Sequence, residues 1–436
     1  MKPWQREVKI AYLVKTFPKV SETFILREIL ALESAGLDLQ IFALRRPQED
    51  KAHAITSQVR AQVVYAPARF SDDPIGLLTA HLTLLLTHPW RYCRALCFAV
   101  QHREAESTQD FIQTGYVAWL LLRSDVSHLH AHFINKPAGI AELVHHLIAL
   151  PYSITAHAKD IYLSPPPVLA RKMAGAQFVV TCNEYNRGFL QEHAPKGTSI
   201  VRSYHGLDLQ LFQPDPQAAS GEDLPMLLSV GRLREKKGFV CLLDACHLLK
   251  TGGYRFQCVI VGYGPLREEL TRRITELDLD DVVSLTGMLT QDDVIRLYKR
   301  ATLFALPCQI TDGGDRDGIP NVLVEAMAME LPVVSTHVSG IPELVEHMRN
   351  GILVRPQDPA GLATAMAQLL DQPQLRRALG MAGRQKVYEQ FSAQRNALQL
   401  KALFTQMPVA LAEDIQADAQ VVHMDDVDAS VLKYGA

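Results

Sequence analysis

No uninterrupted apolar run in this chain reaches the ~18 residues that a bilayer-spanning helix needs. The segment from Met1 to Glu7 lacks the charged-then-apolar order of a secretory leader and runs straight into Val8-Lys9-Ile10-Ala11-Tyr12-Leu13-Val14. A cytoplasmic protein is the expectation. Strong charge of one sign is missing too. A net charge of −3 over 436 residues offers no basic face for nucleic acid. Cysteine is sparse and irregular: seven residues, with no two-pair zinc pattern. Cys93 with Cys97, and Cys241 with Cys246, fall at helical spacing, and all seven read as reduced core packing. Val261-Gly262-Tyr263-Gly264 lacks the third glycine of a dinucleotide fingerprint.

The composition, 48% hydrophobic and 21% charged, describes a globular chain, and 436 residues exceed one compact domain. Short β-branched runs alternate with longer amphipathic stretches, the order of parallel sheets with crossover helices. Strands are expected over 8–14, 39–43, 62–65, 128–133, 152–155, 178–182 and near 199–204, with a helix over 22–33. The pattern restarts with strands over 226–230, 257–261, 282–285, 303–305 and 333–335. The fold class is therefore α/β, with two doubly wound, Rossmann-like domains. The first spans 1–205 and the second 223–384, joined by a hinge over 206–222. A last helix follows over 385–405, and the acidic end, 406–436, reads as a solvated tail.

The most telling stretch is Asp317-Gly318-Ile319-Pro320-Asn321-Val322-Leu323-Val324-Glu325. Proline suits a first helical position, so a helix is expected to start near Pro320. Asp317 then lies in the loop before it and Glu325 more than a turn inside. An anion at the free N–H groups of that helix start, near Asn321 and Val322, would have one carboxylate on either side. A nucleotide sugar fits such a site. Farther upstream, Gly231-Arg232-Leu233-Arg234-Glu235-Lys236-Lys237-Gly238 leaves a strand and presents Arg232 and Lys237, donors suited to a diphosphate. Arg234 and Lys236 read as a solvated basic loop.

The stretch resembles the Glu-x7-Glu signature of family-four retaining glycosyltransferases, enzymes of the two-domain GT-B fold, with Asp317 in place of the first Glu. Pro332-Val333-Val334-Ser335 and Ser339-Gly340-Ile341-Pro342-Glu343-Leu344-Val345 extend the likeness, which runs from about residue 8 to about residue 405. The resemblance implies two domains facing across a cleft, with the last helix crossing back onto the first. Gly231, Arg232 and Lys237 would then meet the donor diphosphate and Glu325 the ribose. Gly262 would shape the nucleotide pocket, and Met288 would stand where relatives contact the base through the backbone. Asp317 and His132 would orient the sugar.

Leu129-His130-Ala131-His132-Phe133 ends a strand, and its two histidines share a face. Relatives carry a histidine at the position matching His132. Ser153-Ile154-Thr155-Ala156-His157-Ala158-Lys159-Asp160 resembles the exopolysaccharide, colanic-acid-like branch, and makes His157 and Asp160 acceptor-side candidates. A buried histidine beside a capping aspartate explains the same residues. Ser21-Glu22-Thr23-Phe24 also marks that branch, with Ser21 as a helix cap and Glu22 in the first turn, facing donor or acceptor.

The resemblance implies retaining transfer of a hexose from a UDP- or GDP-sugar to a saccharide or lipid-linked saccharide, with an α-linkage. Neither cofactor nor metal is expected, although Asp315-Arg316-Asp317 is a D-x-D triplet. Arg232, Lys237 and the helix start already supply the positive field. The segment from Leu77 to Val100 is a candidate for peripheral contact with the inner membrane, interrupted by Pro89; two packed helices fit it as well. Two rivals remain: a nucleotide-sugar epimerase of the same fold, and a weakly catalytic sugar-binding assembly partner.

Overall fold

Thirteen strands form two all-parallel sheets in the computed structural model, which describes residues 9–19, 22–47, 54–102, 107–214 and 224–405. The first sheet contains β1 (Lys9–Thr16), β2 (Asp38–Arg45), β3 (Gln62–Tyr65), β4 (His128–His132), β5 (Tyr152–Ala156), β6 (Val179–Thr181) and β7 (Ile200–Arg202). Its order is β3-β2-β1-β4-β5-β6-β7. The second contains β8 (Met226–Val230), β9 (Gln257–Val261), β10 (Val283–Gly287), β11 (Leu303–Ala305), β12 (Val333–Thr336) and β13 (Ile352–Val354), in the order β10-β9-β8-β11-β12-β13. Helices cover both faces, so the central strands are buried on both sides. In each sheet the order reverses beside the first strand. The carboxyl ends at that reversal are where ligands of open sheets bind.

One apolar core fills the second domain, and two cores lie on opposite faces of the first sheet. The helix Ala393–Phe404 belongs to the first domain's core: Ala397, Leu400, Leu403 and Phe404 are buried there, against the helix Thr23–Ser34. Full burial of a large apolar side chain contributes about 1.5–3 kcal/mol, so this face alone accounts for the crossing back.

The expected single helix over 385–405 is two, Pro373–Gln390 and Ala393–Phe404. The break exchanges backbone bonds with the other crossing segment. Leu207 N donates to Phe391 O (2.7 Å), and Ala393 N donates to Leu207 O (3.1 Å). Phe391 stacks on Tyr204 with ring centroids 4.5 Å apart. Gly206 permits the contact, since a Cβ there would lie 2.3 Å from Ala393 Cα.

Four local expectations need correction. The strand Ile352–Val354 was not foreseen, because three apolar residues after a glycine carry no periodicity. Pro320 is the cap of the helix Asn321–Ala328, with ψ 124°, not its first residue. Glu22 is likewise the cap residue of the helix Thr23–Ser34 and not within its first turn. Cys93 and Cys97 are exposed, whereas the other five cysteines are buried; all seven are free thiols. Ser21, part of the linker (215–223) and the acidic end (406–436) lie outside the described residues.

Candidate active site

The carboxyl end of β8 turns sharply because three glycines remove side chains that would collide. A Cβ on Gly262 would meet Gly231 O at 1.8 Å, and one on Gly264 would meet Leu233 O at 2.4 Å. Gly238, with φ 71°, sits against Pro307 O, where a Cβ would come within 1.8 Å. Gly262 therefore acts first as a packing residue for the loop that carries Arg232. That arginine is exposed, with its guanidinium 5.8 Å from the Tyr263 ring centroid. Met288 is half exposed just after the end of β10.

Lys237 Nζ lies 2.8 Å from Asp317 Oδ2, and Lys236 Nζ lies 3.4 Å from Asp317 Oδ1 and 3.0 Å from Asp315. Lys236 is thus a partner of both acids of the triplet, not a solvated loop residue. Burial would raise the Asp317 carboxyl, but the two lysines outweigh it and hold it below its ordinary range. The same contact raises Lys237 against the opposing pull of burial. The result is a charge-matched cluster at the mouth of the helix Asn321–Ala328. Glu325, on that helix, accepts from Tyr298 Oη (3.2 Å) and faces Arg27 of the first domain at 3.5 Å. Burial pushes its carboxyl up, and Arg27 and Tyr298 offset this only in part.

In the first domain, β4 reads His-Leu-His-Ala-His and is buried throughout. Its imidazoles line one face. His128 Nε2 and His130 Nδ1 share Ser153 Oγ (2.7 and 2.8 Å), and His130 Nε2 meets Thr155 Oγ1 at 2.8 Å. His132 Nε2 meets Glu28 Oε1 at 2.8 Å, and its Nδ1 lies 3.5 Å from His157 Nε2. His132 therefore has 0% exposure and no ring nitrogen left for a sugar hydroxyl, contrary to the direct contact expected of it. Among the described residues, the buried imidazole nitrogens without a partner are His157 Nδ1 and His205 Nε2. Asp160 is buried and accepts from the backbone N–H groups of Ile134 and His157, which fixes the turn beneath His157. Burial raises its carboxyl to about 7 against those two bonds. Glu22 pairs with Lys19.

The cleft is closed around these groups. Glu343 accepts from Glu184 N (2.7 Å), Tyr185 N (2.9 Å) and Tyr204 Oη (3.1 Å), and so caps the helix Glu184–His193 from the opposite domain. Gly318 and Gly340 admit the Asn183 side chain, which a Cβ on either would overlap. Two groups have metal-ligand spacing among the described residues: His157, Cys182 and His205, and Glu28, His130 and His132. Burial pushes the Cys182 thiol up to about 12.

The glycosyl transferases group 1 description matches residues 214–386, the half that carries Arg232, Lys237, Asp317 and Glu325. WcaL of Escherichia coli K12, named as a colanic acid biosynthesis glycosyltransferase, is 31% identical over 403 residues, covering 89% of this chain and 97% of that one. The chain belongs to the glycosyl transferases of group 1. The amylovoran biosynthesis glycosyltransferase AmsK of Erwinia amylovora is 27% identical over 369 residues, 83% of this chain and 90% of that one. Sucrose-phosphate synthase from Thermosynechococcus elongatus superposes with a TM-score of 0.71 over 92% of this chain and 99% of its own, at 20% identity. The architecture is GT-B.

Several residues of this group 1 glycosyltransferase's cleft escaped the sequence reading: Tyr12, Arg27, Glu28 and His205. Arg27 and Glu28 sit in an amphipathic helix, where a charged pair reads as the solvent face. Glu28 lies four residues after Phe24, on the same side of the helix, and Phe24 stacks on His205 with centroids 4.4 Å apart. His205 is the last residue of the first domain, directly before the hinge, and no motif singled it out.

Proposed function

We propose that this glycosyltransferase moves a hexose from a UDP- or GDP-sugar to a saccharide acceptor, with retention, giving an α-linked product. The observation that carries the reading is the bracket at the helix start: Asp317 with Lys237 (2.8 Å) before it, and Glu325 inside it. The exposed Arg232, beside the charge-matched cluster of Lys236 and Lys237 with Asp315 and Asp317, is the uncompensated cation where a diphosphate would leave, with the lysines as further donors, and such stabilisation is the main electrostatic task of the reaction. The same cations make a metal unnecessary to the proposed chemistry. A closed cleft limits wasteful hydrolysis of the donor.

The names of WcaL and AmsK support a place in exopolysaccharide biosynthesis, and a lipid-linked saccharide is the acceptor proposed here. Among the described residues no helix is long and apolar enough to cross a membrane. Peripheral work at the cytoplasmic membrane face is the reading that two surface helices support, Pro74–Thr87 and Pro89–Gln101. Their exposed side chains include Ile75, Leu78, Leu82, Leu86 and Trp90.

Ligand-observed NMR against UDP-, GDP- and ADP-sugars tests the core of this reading. Binding of one donor with slow release of nucleotide and free sugar is the expected result. Appearance of a second sugar nucleotide would make the protein an isomerase, and no binding to any donor would remove the assignments of Arg232, Lys237 and Glu325 together. Activity lost in EDTA and restored by manganese would overturn metal independence.

A further inference from the structure

His157 is 93% buried, yet its Nδ1 has no partner. An unsatisfied buried nitrogen is costly, so a ligand that satisfies it gains accordingly. Behind the ring runs a chain of contacts. His157 Nε2 lies 3.5 Å from His132 Nδ1, and His132 Nε2 lies 2.8 Å from Glu28 Oε1. The same carboxylate oxygen accepts from Tyr12 Oη at 2.9 Å.

A neutral imidazole carries one N–H, and the bond made by one ring nitrogen decides what the other can do. Glu28 Oε1 sits between two groups that can donate to a carboxylate, Tyr12 Oη and His132 Nε2. A carboxylate can only accept, so His132 Nε2 donates to it. With His132 neutral, its bare Nδ1 accepts from His157 Nε2–H. His157 Nδ1 is then a lone pair in search of a donor. His130 cannot take part, since Ser153 and Thr155 occupy both its nitrogens. Phe24 and Phe133 wall the His157 ring, with centroids 4.9 and 4.8 Å away.

We infer that Glu28 is a positioning residue that acts through His132 to fix the tautomer of His157, leaving Nδ1 to accept a hydrogen bond from a sugar hydroxyl in the cleft. The identity of the ligand as a sugar rests on the function proposed above; the tautomer chain does not.

Long-range proton–nitrogen NMR of the full-length protein with 15N-labelled histidine tests it. In the wild type, His157 is expected to carry its proton on Nε2. In Glu28→Gln, the amide can donate to His132 Nε2, which reverses both rings and moves the His157 proton to Nδ1. Tyr12→Phe removes the other bond to Glu28 and should leave the tautomer as it was. Adding the sugar nucleotide found to bind should shift the Nδ1 resonance in the wild type, and kcat/KM in Glu28→Gln should fall about tenfold. A wild-type His157 protonated on Nδ1 overturns the proposal, and that measurement needs no variant. A Glu28→Gln protein whose His157 keeps the Nε2 proton overturns it as well, as does a bound sugar that leaves Nδ1 unmoved. The predicted tautomers together with no binding of any donor would instead leave the relay standing and remove both the sugar hydroxyl as its ligand and the transferase reading.

Discussion

Arg27 Nη1 stands 3.5 Å from Glu325 Oε1, and the pair joins the two domains across the cleft. The arginine also lies over the Phe212 ring, 5.6 Å from its centroid, where the chain enters the linker. In the proposed reaction Glu325 serves the donor ribose, so the ribose must displace Arg27. With the two side chains only 9% and 14% exposed, the attraction little more than offsets the desolvation of both charges, a net worth on the order of 1 kcal/mol. Arg27→Met is therefore expected to tighten donor binding about fivefold and to enlarge the donor-free protein in small-angle scattering. Donor binding weakened tenfold or more in calorimetry would show that Arg27 is itself a donor ligand.

Arg232 is exposed and makes no hydrogen bond or ion pair with the described residues, while Lys237 is already neutralised by Asp317. Arg232 thus has its full donor set for a diphosphate, and charge-assisted bonds contribute about 1.5–3 kcal/mol each. Arg232→Ala should weaken donor binding at least about tenfold. Equal donor affinity in the variant and the wild type would remove Arg232 from the site.

Asp317 is fitted to its lysines at the length of an aspartate, with Lys237 at 2.8 Å and Lys236 at 3.4 Å. A longer carboxylate must push that pair apart or turn away from it. Asp317→Glu is accordingly expected to lower turnover about tenfold. A gain in turnover would mean instead that the aspartate impairs the enzyme.

The buried imidazoles make the fold sensitive to acid. Burial holds His128 at about 4 and His205, with some relief from Glu28, also at about 4. His130 and His157 lie well below the ordinary range for the same reason, aided by their neighbouring histidines. A depressed base is uncharged in the folded state while the unfolded chain takes up its proton. Stability is therefore intact above the unfolded value of about 6.5 and is lost as pH falls from there towards 4. His128 alone accounts for about 3 kcal/mol at the acid end of that window. Melting temperature should drop steeply between pH 6.5 and 4.5, and less so in His128→Phe. A flat profile over that range would contradict the buried neutral rings.

The two-sheet architecture and most strand positions were legible because β-branched runs and turn residues recur at parallel-sheet spacing. The donor half of the site was legible too, since Arg232, Lys237, Asp317 and Glu325 lie in two short motifs at the ends of strands. The first-domain half was not. Its polar core joins residues far apart in the chain: Tyr12, Glu28, His132, His157 and His205 meet only once the sheet is built. No periodicity signals that Glu28, on the same helix as the core residues Ile25 and Ile29, will reach a histidine 104 residues away. The break at Phe391–Ser392 was equally hidden, because it depends on two backbone bonds to Leu207 and not on a local helix breaker.

The helices Pro74–Thr87 and Pro89–Gln101 leave an apolar face in water, with Ile75 and Leu86 each 79% exposed and Trp90 88% exposed. Residues 74–101 contain no aspartate or glutamate, while Arg91 and Arg94 stand exposed beside Trp90. Apolar side chains and tryptophan flanked only by cations suit an anionic lipid surface, where each arginine adds about 1 kcal/mol. The full chain should therefore co-sediment with vesicles containing anionic lipid, less so with neutral ones, and lose that binding in high salt. Leu86→Glu combined with Trp90→Ala should abolish it while leaving donor binding in solution unchanged, because neither residue belongs to the cleft. Equal recovery of the variant and the wild type with anionic vesicles would separate this face from the membrane.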